Sequence, residues 1–260
     1  MKHHSASGAC FYCYDSGTKA KLHLPGTQSR ADRVPGPLLR RESDGFSLSA
    51  NFSFAHSVFT MHHSPVDWLH TMHEGAMNAI VQELVGSVLQ NQRPKHEEFA
   101  ADASEVRSLL CMTKLPSFCR RLPRSLTECT GSEKEGIFNS VAVGCAMSGV
   151  LAPVVSLIVL IINAINREMV SPSSSCDIQM PARVRILCKW LAIAVRDHCP
   201  FLLNGIKFHT LCFHLADLVD QMGSQYPFST ISFEHLHFVM QTCLHTNLTR
   251  NVGAFMIKKL

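Results

Sequence analysis

The chain has 260 residues, enough for one large domain or two small ones with a substantial buried core. Its formal net charge of +4 excludes both a polybasic nucleic-acid-binding tail and an acidic disordered segment. The 11 cysteines are odd in number and scattered, and MKHHSASGACFYCYDSG at the start has no apolar signal region. We therefore expect a nuclear or cytoplasmic protein rather than a secreted disulfide framework, with mostly reduced and buried cysteines except Cys10 and Cys13.

Residues 1–50 differ in composition from the rest of the chain. They are rich in Gly, Pro, Ser and basic residues, and the stretches LPGTQ and VPGPLL carry turn signals. The amino-acid composition changes from Phe52 onward. The sequence predicts an irregular N-terminal arm over 1–50, which contains a Cys-x-x-Cys, and a helical domain over 51–260.

The segment SPVDWLHTMHEGAMNAIVQELVGSVLQNQ, which begins at Ser64, predicts the first helix. The residues from Ser64 to Asp67 form a capping signal at its start. The apolar residues that follow have helical spacing: Leu69, Met72, Met77, Ile80, Val81, Leu84 and Val88. Further along the chain, Ser125 with Glu128 and Ser132 with Glu135 each fit a capping box.

The stretch 137–166, IFNSVAVGCAMSGVLAPVVSLIVLIINAIN, contains no charged residue. A run of this length is typical of a membrane span. However, Pro153 lies in its middle, where it breaks or kinks a helix, and Lys134 and Arg167 at the flanks give no strong charge asymmetry. Two alternatives stay open: a membrane span, or two buried helices joined near Pro153.

The C-terminal third also has helical periodicity. Residues 182–198 predict an amphipathic helix with an apolar face formed by Leu187, Trp190, Leu191, Ala194 and Val195. A second helix is predicted from about Phe208 to Met222, followed by a turn at Gly223 and a last helix from about Phe233 to Thr246. No segment alternates as a strand would, so the sequence predicts a mostly α protein.

Four segments occur in an order and at a spacing that are fairly specific. They are GACFYCYDSG (8–17), SPVDWLHTMHEGAMNAIV (64–81), KLPSFCRRLPRSLTECTGSEKEGIF (114–138) and KFHTLCFHLADLVDQMGSQYPFSTISFEHLHF (207–238). Together they resemble the transposases of CACTA (En/Spm-like) DNA transposons. The resemblance implies a helical insertion and the C-terminal part of an incomplete RNase H-like core, with few or no strands.

The resemblance also implies chemistry. Transposases of this kind break phosphodiester bonds with two Mg²⁺ ions, which require carboxylate ligands. Glu234 matches the family's late catalytic glutamate. The family's two aspartates precede its Cys-x-x-Cys, whereas only nine residues precede Cys10 here and none is acidic. We therefore expect a transposon-derived protein without strand cleavage, which retains DNA binding, protein binding or self-association. A membrane protein or a helical interaction protein is the alternative.

A structural zinc site is a further implication of the resemblance. Its ligands would be Cys10, Cys13, His209 and His214, since cysteine and histidine together form tetrahedral zinc sites. The spacing of the histidines raises an objection, because residues five apart on a continuous helix lie about 140° apart around its axis. The other interpretation is two surface thiols and two packed histidines.

Asp67 and His70 match the Asp-x-x-His of the family's insertion. Because they are three residues apart, they face the same way on a helix. The simplest interpretation is a first-turn aspartate that interacts with the neighbouring imidazole. Three arginines, Arg120, Arg121 and Arg124, are the candidates for contacts with DNA phosphates.

Overall fold

The structure is a computed structural model that describes residues 65–89, 93–112, 126, 129–171, 177–230, 233 and 236. Within these ranges every regular element is helical and there is no strand, which confirms the mostly α prediction. The arm over 1–50, its boundary with the helical domain, and most of the predicted last helix lie outside the described residues.

Helix α1 is continuous from residue 69 to residue 89. It alternates wide π-helical and α-helical parts: Leu69–Met77, Asn78–Val81, Gln82–Gly86 and Ser87–Leu89. All seven apolar residues whose spacing predicted the helix are buried. A single turn of 3₁₀ helix, Glu97–Phe99, then leads to α2, Ala103–Met112.

The uncharged stretch forms two helices rather than one. Helix α3 consists of Gly131–Ile137, Phe138–Ala142 and Val143–Met147, and helix α4 is Pro153–Val170. Gly149 lies between them with φ of 75°, a conformation that side chains other than glycine's rarely adopt. Pro153 occupies the first turn of α4, where its missing N–H costs no hydrogen bond. The stretch 137–166 is therefore divided into two helices near Pro153.

The start of α3 corrects one prediction. The capping box is formed by Thr130 and Glu133, not by Ser132 and Glu135. The Thr130 N–H donates to Glu133 Oε2 at 2.7 Å, and the Glu133 N–H donates to Thr130 Oγ1 at 3.3 Å. Glu135 takes no part in this cap, and its side chain accepts a hydrogen bond from Asn166.

Five elements complete the described part. They are α5 (Met180–His198), a 3₁₀ segment (Pro200–Asn204), α6 (Ile206–Phe213), α7 (Leu215–Met222) and a 3₁₀ turn (Tyr226–Phe228). The predicted turn at Gly223 is present, with φ of 74°. One prediction for α5 is wrong, since Trp190 is not on the buried face and is 55% exposed. The buried face of α5 is formed by Val184, Cys188 and Leu191.

The core lies where the helices cross. α1 packs against α3 and α6, while α4 packs between α3 and α5, and α5 in turn contacts α6 and α7. Arg185 on α5 forms ion pairs with Asp217 and Asp220 on α7, which fix this outer contact. The arrangement brings the start of α1 close to the chain that follows α7.

Candidate functional site

The histidine pair lies at an unexpected break between two helices. α6 ends at Phe213, and His214 has φ of −123° and ψ of −25°, so it is at once the last cap of α6 and the first cap of α7. Its N–H donates to Thr210 O at 3.0 Å, and its carbonyl accepts from the Leu218 N–H at 3.1 Å. The predicted single helix over 208–222 is therefore two helices.

The break removes the geometric objection to this pair. His209 Nε2 and His214 Nε2 lie 3.0 Å apart, so the two rings converge rather than point to opposite sides. His209 is completely buried, whereas His214 is partly exposed. Two nitrogen ligands on one tetrahedral Zn²⁺, each at 2.0–2.1 Å, are separated by about 3.3 Å. The observed 3.0 Å is the length of a hydrogen bond between the two rings, and a movement of about 0.3 Å would give the separation of two ligands on one such ion.

The remaining two candidate ligands, Cys10 and Cys13, are outside the part of the chain that the structure describes. Within that part, no three His, Cys, Asp or Glu side chains converge as a metal site requires. Cys212, on α6, is fully enclosed, and burial raises the pKa of its thiol well above the ordinary value.

Most described cysteines are buried thiols, as predicted. Cys129, Cys145, Cys188, Cys199 and Cys212 are buried and free, and Cys111 is exposed. Burial raises the pKa of Cys145 to about 11 and that of Cys188 to about 12. They behave as small apolar core residues rather than as nucleophiles.

Asp67 and His70, at the start of α1, form a junction with Thr230, which follows α7 in the chain. Asp67 Oδ2 lies 2.7 Å from His70 Nδ1, as the sequence predicted. Thr230 adds two hydrogen bonds: its hydroxyl donates to Asp67 Oδ2 at 2.8 Å and its N–H to Asp67 Oδ1 at 3.2 Å. Burial would raise the pKa of Asp67, but the bonds from Thr230 and the contact with His70 outweigh it and lower the pKa.

Gln225 strengthens the same junction, and no pattern in the sequence pointed to it. Its side chain is completely buried. It accepts a hydrogen bond from the Val66 N–H at 3.0 Å and donates to Gly223 O at 3.0 Å. Nearby, the Ser224 hydroxyl donates to Met169 O at 2.7 Å. The turn after α7 is thus fastened to the beginning of α1 and the end of α4.

Gly75, the last residue of the Asp-x-x-His-x-x-x-x-Gly segment, has a packing role. A Cβ atom at this position would lie 2.7 Å from Lys207 Cδ and 2.9 Å from Lys207 Cβ. The aliphatic stem of Lys207, at the start of α6, therefore lies directly on the backbone of α1. In this segment the aspartate and the glycine both attach α1 to the C-terminal elements.

A second histidine on α1, His73, belongs to a buried polar network. Its ring is completely buried, with Nε2 3.6 Å from Glu135 Oε1. Asn166 connects Glu135 to Trp68: its amide donates to Glu135 Oε1 at 2.9 Å, and its oxygen accepts from Trp68 Nε1 at 3.0 Å. Burial lowers the pKa of His73 more than the neighbouring carboxylates raise it. These surroundings favour the neutral imidazole of His73.

The structure does not test the nuclease and DNA-contact predictions directly. Glu234, Arg120, Arg121 and Arg124 are all outside the described residues. Two cations of α5 that the structure does describe are neutralised by carboxylates, since Arg183 pairs with Glu168 and Asp177 and Arg196 pairs with Asp197.

One helix in the described part of the chain, α4, is long and apolar enough to cross a membrane. Half of its residues are buried against the other helices. A buried core helix has the same length and composition, so this finding does not separate the two interpretations.

Comparisons with known proteins complete the description of the site. The chain matches no protein-family model, no curated protein and no solved structure.

Proposed function

We propose that the chain is a transposon-derived helical protein whose C-terminal helices are joined to its N-terminal Cys-x-x-Cys by a structural zinc site, and that these 260 residues do not cleave DNA. The observation that carries the proposal is the 3.0 Å approach of His209 Nε2 to His214 Nε2 across the helix break. The order of the four transposase-like segments supplies the rest of the support.

The zinc site would have a structural role. His209, His214, Cys10 and Cys13 together supply the two nitrogens and two sulfurs of a closed tetrahedral site. Bound zinc would connect two segments that are about two hundred residues apart in sequence, and such metal binding contributes directly to folding free energy. A closed site of four protein ligands leaves no position for substrate.

The proposal on cleavage follows from the ligand requirement of a two-metal centre. Glu234 is the single carboxylate that matches the family's catalytic acids, and one carboxylate cannot hold two divalent ions. Plasmid DNA incubated with the purified chain and Mn²⁺ should stay supercoiled. Nicking that the substitution Glu234→Gln abolishes would overturn this part of the proposal.

Weak DNA binding is the expected remaining activity. Labelled duplex DNA mixed with the protein at low and raised salt provides the test, because phosphate contacts weaken steeply as salt rises. Binding that salt abolishes supports the transposase-derived interpretation. Absence of binding at low salt favours the alternative of a protein-interaction module.

A helical interaction protein is the second candidate, and one observation favours it. Leu157, Trp190 and Ile193 form an apolar surface between α4 and α5, with 45%, 55% and 42% of their area exposed. Sedimentation velocity tests self-association through it. Trp190→Glu should dissociate any oligomer, whereas Lys189→Glu, one residue away and also exposed, should not.

A further inference from the structure

Exposed apolar side chains follow α7 in the chain. Tyr226 and Phe228 belong to the 3₁₀ turn, and Phe233 and Leu236 have helical backbone within the predicted last helix. These four side chains, the C-terminal apolar stretch, are all exposed, and Phe233 is 73% exposed. Phe233 and Leu236 lie on one face of the helix because they are three residues apart. Exposed aromatic and aliphatic side chains so close in the chain are typical of a surface that another segment covers.

The turn that carries this stretch is fastened to the point where the described N-terminal part begins. The Val66 N–H donates to Gln225 Oε1 at 3.0 Å. Thr230 donates to Asp67 through both its N–H and its hydroxyl. The described chain begins one residue before Val66, so residues 1–64 join the folded domain beside the C-terminal apolar stretch.

The last part of that N-terminal region is itself apolar. NFSFAHSVFTMHHS, residues 51–64, contains three phenylalanines, a valine and a methionine, and it has no Asp, Glu, Lys or Arg. Phe59 is six residues from Pro65, which an extended chain spans in about 20 Å. Phe228 lies about 6 Å along the 3₁₀ turn from Gln225. The chain is therefore long enough for Phe59 to contact Phe228.

Connectivity favours this segment over other occupants of the stretch. A segment on a short tether has an effective concentration on the order of millimolar, above that of a second copy in dilute solution. The apolar surface of Leu157, Trp190 and Ile193 lies further from the point where the segment joins the domain. The Ser224 hydroxyl contacts Met169 O near the end of α4, and Leu157 lies about 18 Å back along that helix.

We propose that residues 52–61 dock on the C-terminal apolar stretch of the same chain. The phenylalanine rings of the segment pack against Phe228 and Phe233, in the offset or edge-to-face contacts that aromatic pairs prefer. The contact removes apolar surface of both partners from water, which is the source of its stability. It attaches the N-terminal part of the chain to the elements that follow α7. The proposal rests neither on the zinc site nor on the transposase resemblance.

Photochemical cross-linking of the full chain tests the contact. The photoreactive residue p-benzoylphenylalanine replaces Phe228, and mass spectrometry of the digested product locates the cross-link after irradiation. Cross-links should join position 228 to residues 52–61 within one chain. The same residue in place of Ile193, which is exposed on α5, should give at least about tenfold fewer cross-links to that segment. Equal yields from the two positions, cross-links between two chains, or none to residues 52–61 would overturn the proposal.

A pair of matched substitutions separates docking from mere proximity. In the chain that carries the photoreactive residue at position 228, Phe59→Ser should lower the yield of cross-links to residues 52–61 about threefold or more, because it removes an apolar contact. Phe46→Ser, the same change outside the segment, should leave the yield as it was. An unchanged yield with Phe59→Ser, or an equal loss with both substitutions, would show that the segment does not dock through its phenylalanines.

Discussion

Two pairs of side chains that contain histidine, Asp67 with His70 and His209 with His214, differ in the partner of the imidazole. His70 lies against a carboxylate, Asp67, which also accepts two hydrogen bonds from Thr230. His209 instead lies against another imidazole, with the two Nε2 atoms 3.0 Å apart. The Asp67 carboxylate can only accept hydrogen bonds from His70 and Thr230, whereas two imidazoles whose Nε2 atoms converge share one hydrogen bond and, with both nitrogens deprotonated, can bind one metal ion. The first pair therefore stabilises the fold, and the second is the better candidate for metal.

Removal of zinc should have the largest effect on the second pair. Zinc at a free concentration of 100 times its Kd would stabilise the folded chain by about 2.7 kcal/mol, and a chelator would remove that stabilisation. The comparison is urea unfolding with and without chelator. The double variant His209→Ala, His214→Ala should show no response to chelator, whereas Asp67→Asn should respond as the natural chain does. An equal response from both variants would contradict the distinction between the pairs.

The next largest effect is expected at Gly75, where the start of α6 packs on α1. Gly75→Ala should lower the free energy of unfolding by about 1 kcal/mol or more, because the new Cβ overlaps the Lys207 stem. Gly144→Ala is the matched control: its Cβ would lie 3.5 Å from Leu109 Cδ2, an ordinary contact, in a helix interior. That substitution should stabilise the protein by up to about 1 kcal/mol through helix propensity. Thermal unfolding of both variants measures the contrast.

The Asp67 junction predicts a smaller coupling. Thr230→Val removes the hydroxyl but keeps the shape of the side chain, and Asp67→Asn removes the charge. Each should cost about 1 kcal/mol, and the double variant should cost less than the sum because the two groups share a hydrogen bond. Urea unfolding of the four chains gives the cycle. Strict additivity would show that the two residues do not interact in solution.

The smallest expected effect is a pH dependence at the same junction. The pKa of Asp67 is lowered in the folded protein, since the bonds from Thr230 and the His70 contact outweigh burial. Its contribution to stability is therefore present above the unfolded pKa of about 3.9 and is lost as pH falls through the folded value. The stability difference between the natural chain and Asp67→Asn should shrink in acid. A difference that grows below pH about 4 would contradict this sign.

The sequence predicted those features that depend on local pattern. The apolar spacing from Leu69 to Val88 identified α1 and its buried face, and Pro153 indicated one of two interpretations of the uncharged stretch, a division into two helices, which the structure shows. The sequence did not predict contacts between residues that lie far apart along the chain. Gln225 and Thr230 reach Val66 and Asp67 across 159 and 163 positions, and no local pattern encodes such pairing.

The helix break at His214 could not be predicted for a different reason. Glycine and proline are the usual signals of a break, and neither occurs between Lys207 and Met222. The apolar stripe also continues across it, since Leu211, Leu215 and Val219 are all buried. The objection to the histidine pair therefore rested on a continuous helix that the folded protein does not have.

X-ray absorption at the zinc edge, on the purified full chain, tests the central claim most directly. We predict tightly bound zinc with two sulfur ligands at about 2.3 Å and two nitrogen ligands at about 2.0 Å. Substitution of His209 and His214 should remove the nitrogen shell. A chain that loses all zinc on dialysis, or that binds it through oxygen ligands, would contradict the account.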